Sequence, residues 1–258
     1  MPQQSLPAPA YILGVRVDRV SQLQVVDIID QLIALRLASG NSLPCQQIVT
    51  VNTEFVMAAQ KNIEFRHTIN SAALAVADGI GVVWATRFVG FPTPERITGT
   101  DTLIALAKRC AQKGYRLYLL GAAPGIAEQA GAYLQAIAPK LQIVGTYAGS
   151  PAPAEEDAII ARIHAANADI LCVAYGAPAQ DLWISRNLSR LPTAIAMGVG
   201  GAYDFLSGRQ RRAPQIMQRL GLEWVYRLYR EPWRWKRMLA IPHFILQVLL
   251  RGRKQHDS

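Results

Sequence analysis

The sequence predicts an α/β protein: a doubly wound, mostly parallel sheet covered by helices, followed by a helical, basic appendage. Three observations predict it. From Tyr11 to Gly200 short apolar runs alternate with amphipathic stretches, as in successive strand–helix units. Several of those runs have no polar face, as expected for parallel strands buried on both sides. After Gly200 the strand pattern stops and the chain becomes helical in pattern and strongly cationic. With 258 residues, 51% of them hydrophobic, one core domain of about 200 residues plus an appendage fits the length.

The elements follow in order. MPQQSLPAPA has neither a charged n-region nor an apolar h-region, so residues 1–10 read as a disordered leader and not as a signal peptide. The core is placed at 11–208. Its candidate strands are Tyr11–Val17, Gln47–Val51, Ala73–Ala77, Tyr115–Leu120, Gln142–Gly145, Asp169–Ala174 and Ala194–Val199. Ser21 is placed to cap the first helix, in which Val25, Ile28, Ile29, Leu32 and Ile33 recur at helical spacing and Gly40 marks the end. Further helices are expected to begin near Thr53, Gly79, Thr100, Pro124, Ala154 and Ala179. The tract Ser150–Asp157, SPAPAEED, reads as a loop entering a helix. Cys45, Cys110 and Cys172 form no CxxC and no even framework. Cys172 lies in the apolar run ILCVAYG as a reduced core residue, which points to the cytosol.

The appendage, 209–258, holds the charge. Arg209 to Lys254 carries twelve Lys/Arg against Glu223 and Glu231, a net of +10, whereas the whole chain is +9. Three of the five tryptophans, Trp224, Trp233 and Trp235, lie there too. Cations mixed with aromatic and aliphatic side chains suit a surface that is anionic outside and oily beneath, as a bilayer face is. The longest apolar run, Met238–Leu250, has 13 residues and contains Pro242, His243 and Gln247, too short and too polar to span a membrane. Read as one helix at 100° per residue, the tail places Arg227, Arg230, Arg234 and Arg237 within an arc of roughly 80°, with Pro232 as a kink or a new start. A helix pair packed on the core with a solvated charged face would give the same composition.

Ligands of open parallel sheets bind at the carboxyl ends of the strands. Thr50, Asn52 and Glu54 follow the second candidate strand, and Asp78 the third. LGAAPG (Leu119–Gly125) follows the fourth, YGAPAQ (Tyr175–Gln180) the sixth and GVGGAYDF (Gly198–Phe205) the seventh. Such a glycine-bearing rim could approach a phosphorylated ligand closely. Each loop also has a plain structural reading. LGAAPG, with Gly121, lacks GxGxxG spacing and can be a tight turn. Asp78 before Gly79 can cap a helix. Gln180 and Asp204 can be structural, and Glu95-Arg96 a solvated pair. There is no HExxH, no Cys/His metal cluster, no GxxxxGK[ST], no GxSxG and no Asp-x-Asp. Cationic side chains and backbone amides are therefore favoured as phosphate partners.

Taken together and in order, the segments TVNTEF (Thr50–Phe55), ADGIGVV (Ala77–Val83), ERITGTD (Glu95–Asp101), LLGAAPG (Leu119–Gly125), GAPAQDLW (Gly176–Trp183), GVGGAYDFLSG (Gly198–Gly208), RRAP (Arg211–Pro214) and GLEWVYRLYREPWRWKR (Gly221–Arg237) resemble the WecG/TagA/CpsF family of bacterial glycosyltransferases. The resemblance spans about Ile12 to Phe244. It implies a Rossmann-like core and transfer of a sugar, typically from UDP-N-acetylmannosamine or its uronic acid. The implied acceptor is a polyprenyl-diphosphate-linked sugar, typically undecaprenyl-diphosphate-N-acetylglucosamine, with a β-1,4 product. Some relatives that build exopolysaccharide use other hexoses. The implied chemistry is inverting and metal-independent, with no cofactor.

Residue by residue, the resemblance implies that Asp78 is the general base, with Thr50 and Asn52 the polar pair beside it. Arg96 would be a site arginine, and Gln180 the Gln of a P-x-Q-[ED] motif that touches the donor. Arg227, Arg234 and Arg237 would be appendage arginines that close over the site. Gly121, Gly200 and Gly201 belong to the loops expected at the substrate. Many members have Lys before this Gln; here it is Ala179, which puts in question any phosphate contact from that Lys. Tyr175 stands where glycine is common and narrows the expected pocket. Placement at the inner face of the cell membrane follows as an expectation, with an anionic membrane surface as partner, no nucleic acid, and an optional homo-oligomer covering apolar tail residues. Two other classes remain to be weighed: an NAD-linked oxidoreductase, for which GxGxxG with a downstream acidic residue is missing, and a non-enzymatic module binding membrane or nucleic acid through the tail.

Overall fold

The structure is a computed structural model that describes residues 6–219 and 222–251. Its centre is a six-stranded, wholly parallel sheet. In chain order the strands are β3 (Gln46–Val51), β4 (Leu74–Ala77), β5 (Arg116–Gly121), β6 (Gln142–Tyr147), β7 (Ile170–Ala174) and β8 (Ile195–Gly198), arranged in space as β4-β3-β8-β7-β5-β6. The chain winds outward through β3 and β4 on one side and through β5 and β6 on the other. It then returns through β7 and β8 to fill the middle. β7 and β8 are buried at every position, which is why their runs carry no polar face.

The first candidate strand is corrected by the structure. Tyr11–Val17 is not a strand of the main sheet but most of a separate antiparallel hairpin, β1 (Ala10–Ile12) and β2 (Val15–Val17). The turn between them places Leu13 at φ 51° and Gly14 at φ 78°. Two left-handed residues give the turn the twist a two-residue hairpin needs. Leucine is rarely found in that conformation, so the turn leaves little trace in the sequence. The hairpin lies against edge strand β4. Asp18 donates its N–H to the Ala75 carbonyl (2.7 Å), and its carboxylate accepts from the Ala75 N–H (2.7 Å) and from Arg16 Nε (2.9 Å). These bonds occupy the outer backbone groups of a strand that would otherwise offer an edge. Half of the leader expected at 1–10, residues 1–5, falls outside the described residues; residues 6–9 carry no secondary structure, and Ala10 is a buried residue of β1.

Helices cover both faces. On one lie α1 (Gln22–Ala38), α5 (Gly99–Lys113), α6 (Ile126–Ile137) and the short α9 (Ala202–Leu206), packed over Ile48, Val76, Leu119, Cys172 and Met197. On the other lie α2 (Thr53–Ala59), α3 (Ile63–Ser71), α4 (Ile80–Phe88), α7 (Glu156–Ala166) and α8 (Ala179–Asn187). Ser21 closes a capping box with Gln24 at the start of α1, as its spacing predicts.

From 209 onward the only regular elements among the described residues are helical: α10 (Gln215–Arg219), α11 (Glu223–Arg230), α12 (Trp235–Met238) and α13 (Ala240–Arg251), with a 3₁₀ turn at Pro232–Arg234. Of the two readings of Pro232, a kink or a new start, the structure shows the new start, and the arc drawn for one helix is corrected. Proline lacks an N–H and its ring collides with the preceding turn, so α11 ends at Arg230 and the chain restarts at Pro232. The arginines at 227, 234 and 237 fall on three different elements. α13 packs on α2 and α4, and its Phe244 and Val248 are fully buried in the core with Val51, Phe55 and Val82. No helix of the described residues is long and apolar enough to cross a membrane.

Candidate active site

The carboxyl ends of β3, β4, β7 and β8 open into one polar cavity of about 380 Å³. Each wall has a local cause. At the end of β3, Thr50 is buried and Asn52 caps α2, its side-chain oxygen accepting from Phe55 N–H (3.1 Å). That bond commits the Asn52 oxygen and leaves its NH₂ as the group it can offer to a ligand. At the end of β4 the Asp78 N–H is held by the Val51 carbonyl (2.7 Å). The cap position of α4 falls one residue later, on Gly79 at φ 122°, a value that suits glycine. Asp78 therefore stands at the strand end, lining the cavity, and not at the cap position.

Gln180 and Gly198 shape the β8 side together. Gln180 is 1% exposed, and its Oε1 accepts from Gly200 N–H (3.0 Å), fixing the loop Val199–Gly201 that lines the cavity. A Cβ on Gly198 would stand 2.4 Å from Gln180 Nε2 and 2.8 Å from Asp181 Oδ1, so only glycine lets β8 lie against this pair. Asp181 is fully buried. Desolvation pushes its pKa up to about 7 against a weaker opposing pull from the Gln180 amide. Tyr175 lines the cavity with its ring edge-on to Trp183, ring centres 6.1 Å apart.

The third wall is the N-terminus of α5, where Thr98, Gly99 and Thr100 face the cavity and Thr98 caps the helix by accepting from Asp101 N–H (3.1 Å). An added Cβ at Gly99 would lie 3.4 Å from the Val199 carbonyl, so glycine allows α5 to start close against the end of β8. The free amides and dipole of a fifteen-residue helix there favour an anion.

The tail closes the fourth side. Arg212 lines the cavity and grips Asp101 through two hydrogen bonds, Nη1 to Oδ1 at 2.7 Å and Nη2 to Oδ2 at 2.9 Å. Burial alone would raise the Asp101 pKa, but the bonds from Arg212 and Thr98 outweigh it and hold the carboxyl below its ordinary value. The bonds to Asp101 are also the main reason the Arg212 pKa lies above its ordinary value, and the Glu223 and Asp78 carboxylates add to this. Asp78 and Arg212 thus share one electrostatic environment. Glu223, at the first turn of α11, lines the same cavity and forms an ion pair with Arg96. Glu95-Arg96 is accordingly not a mutual solvated pair: Glu95 accepts from the Gln22 N–H (2.6 Å), and Arg96 turns to the tail.

Of the residues singled out from the sequence, Thr50, Asn52, Asp78, Gln180, Gly200 and Gly201 come together around the cavity. Arg96 adjoins it through Glu223. Gly121 does not line it. It sits at φ 99°, where a Cβ would lie 2.7 Å from the Ala174 carbonyl carbon, so its place is close packing between β5 and β7. The side chains of Arg227, Arg234 and Arg237 lie outside the described residues. Arg212, Glu223, Thr98 and Thr100 were missed as site residues, although RRAP, ERITGTD and the tail segment flagged their surroundings.

The model of the "Glycosyl transferase WecG/TagA/CpsF family" matches residues 10–258. The chain belongs to this family of glycosyltransferases. Two similar proteins, from Bacillus spizizenii (strain ATCC 23059 / NRRL B-14472 / W23) and Bacillus subtilis (strain 168), are both named N-acetylglucosaminyldiphosphoundecaprenol N-acetyl-beta-D-mannosaminyltransferase. The first is 35% identical over 206 residues, covering 80% of this chain and 79% of its own. The second is 36% identical over 203 residues, covering 78% of each. A solved nicotinate phosphoribosyltransferase from Vibrio cholerae overlaps 74% of this chain and 49% of its own at 14% identity, with a TM-score of only 0.21. The region matched by the WecG/TagA/CpsF model spans both the α/β core and the tail.

Proposed function

We propose that this glycosyltransferase moves a hexose or N-acetylhexosamine, of the UDP-N-acetylmannosamine type, onto a polyprenyl-diphosphate-linked sugar in cell-surface polysaccharide synthesis. We propose further that the reaction inverts the anomeric centre, forms a β-1,4 linkage and needs neither metal nor cofactor. The observation that carries the reading is the presence, in one polar cavity, of a carboxylate (Asp78), a cation (Arg212) and a helix N-terminus (Thr98–Thr100). The similar proteins from Bacillus, named for transfer of N-acetylmannosamine to N-acetylglucosaminyldiphosphoundecaprenol, supply the substrate class.

In this reading the acceptor hydroxyl oxygen attacks the anomeric carbon of the donor, and the C–O bond to the UDP diphosphate breaks on the opposite face. The hydroxyl proton passes to the Asp78 carboxylate, which acts as general base. Negative charge grows on the departing diphosphate, and Arg212 with the α5 amides is placed to stabilise it. Thr50 and Asn52 orient Asp78 and the acceptor, Gln180 holds the Gly200–Gly201 loop against the donor, Arg96 adds a cation from the mouth, and Arg227, Arg234 and Arg237 are the further arginines that the tail would contribute. The test pairs a panel of UDP-sugars with polyprenyl-diphosphate-GlcNAc, with and without EDTA, and reads product mass. One added hexose or N-acetylhexosamine is expected with at least one donor. Absence of product from every donor would overturn the transfer reading, and loss of product on chelation alone would overturn the metal-free part.

The same reading places the enzyme at the inner face of the membrane. Trp233 and Tyr229 are 72% and 81% exposed, and Leu246, Leu249 and Leu250 form an exposed apolar side of α13 beside Arg251. Aromatic and aliphatic side chains next to cations suit the headgroup boundary, where each basic residue contributes about 1 kcal/mol on an anionic leaflet. A second copy of the chain covering this side is the alternative in the absence of lipid. Phe244 and Val248 belong to the core, so cutting off the tail would also uncover core surface; varying the lipid charge is the cleaner experiment. The enzyme is expected to sediment with phosphatidylglycerol-containing vesicles and to be released by salt. Equal sedimentation with neutral and anionic vesicles would contradict the electrostatic part.

A further inference from the structure

A second cavity, of about 600 Å³, adjoins the polar one. It runs between α4 and α13, and its walls are mainly apolar, with Ile80 and Trp84 from the first helix and Ile241, Phe244 and Ile245 from the second. The two spaces share Asn52, Glu54, Asp78 and Glu223. Asp78 is therefore the point where a polar pocket meets an apolar groove. Next to it, α4 opens with Gly79 and Gly81, and a Cβ on Gly81 would stand 2.6 Å from Thr53 Cγ2, so this end of the groove has no room for a side chain. Arg96 lines the groove at the shared mouth, paired with Glu223.

This order of chemistry matches one kind of molecule. A sugar whose hydroxyl must reach Asp78, followed by a diphosphate, followed by a hydrocarbon chain, meets in turn a carboxylate, a cation and an apolar channel. We propose that the groove between α4 and α13 binds the first isoprene units of the lipid-linked acceptor, with Arg96 released from Glu223 to meet the acceptor diphosphate. The proposal rests on the transfer reading given above and adds to it the path of the lipid. Ile80, Trp84 and Ile245 are partly exposed along this path, and the volume is in the range of ligand pockets. The chain commits to the groove because the groove is continuous with the carboxylate that its sugar must reach. The exposed side of α13 at Leu246 and Leu250 is left to the bilayer.

The full-length enzyme is tested with two acceptors in detergent, GlcNAc-diphosphate carrying a prenyl chain of undecaprenol length and GlcNAc-diphosphate carrying a propyl group. The quantity read is the ratio of their kcat/KM values. Wild type is expected to prefer the prenylated acceptor. Trp84→Ser and Ile245→Ser, made singly, are each expected to lower that preference by about ten-fold, the equivalent of roughly two buried methylene groups. Partial unfolding would lower both rates alike and leave the ratio in place, so the ratio isolates the groove. A ratio unchanged in both variants overturns the proposal. So does a loss of binding to acceptor-free vesicles with the ratio intact, because the groove would then serve bilayer acyl chains. If wild type transfers sugar to neither acceptor from any UDP-sugar, the transfer reading itself fails and the groove proposal with it. Transfer by wild type together with indifferent variants removes only the groove.

Discussion

Asp78→Asn is expected to lower turnover by about 10²–10⁴ while leaving the fold intact, the range lost when a positioned general base is removed. The substitution keeps the shape of the side chain but removes its capacity to accept the acceptor proton. The backbone bond from Asp78 N–H to the Val51 carbonyl does not involve the side chain, and the N-cap position of the next helix is Gly79, so both are kept in the variant. Steady-state kinetics with the thermal midpoint measured alongside would check this. A variant with near-normal turnover and an unchanged midpoint would remove Asp78 from the role of base.

The second large effect is expected at Arg212. Arg212→Ala should lower kcat by about 10²–10³, the cost of losing one donor to charge that develops in the transition state. Arg212→Lys should recover only part of it, because lysine cannot reproduce the two-pronged grip on Asp101 that aims the guanidinium. Asp101→Asn separates the roles. It keeps the cation but removes the charge of its partner, and should cost less than Arg212→Ala. If Asp101→Asn were as damaging as Arg212→Ala, the pair would be a structural tie between tail and core and not a source of positive charge for the leaving group.

The sheet was legible because its strands are short, apolar and evenly interrupted, and the strand ends then located Thr50, Asn52, Asp78 and the Gly200–Gly201 loop. What could not be read came from three physical sources. The hairpin at the start turns through Leu13, a residue with no turn signature. The pairs Arg212–Asp101 and Arg96–Glu223 join residues 111 and 127 positions apart, and neither charge pattern nor periodicity carries such a link. The single arc of tail arginines holds only for one helix; Pro232, legible as a kink or a new start, is a new start and divides the segment. Gly121 shows the opposite error: a glycine in a loop of the expected kind serves packing between strands.

Among the described residues the tail is fastened to the core by Arg212 on Asp101 near its start, by Glu223 on Arg96 in its middle, and by Phe244 and Val248 near its end. Isolated helices as short as α10, α11 and α12 are marginal in water, so this segment takes its shape from what it lies on. Because it is held on either side of α11, Glu223, when momentarily lifted, returns to the cavity at an effective concentration on the order of millimolar. One wall of the cavity can thereby open without being lost.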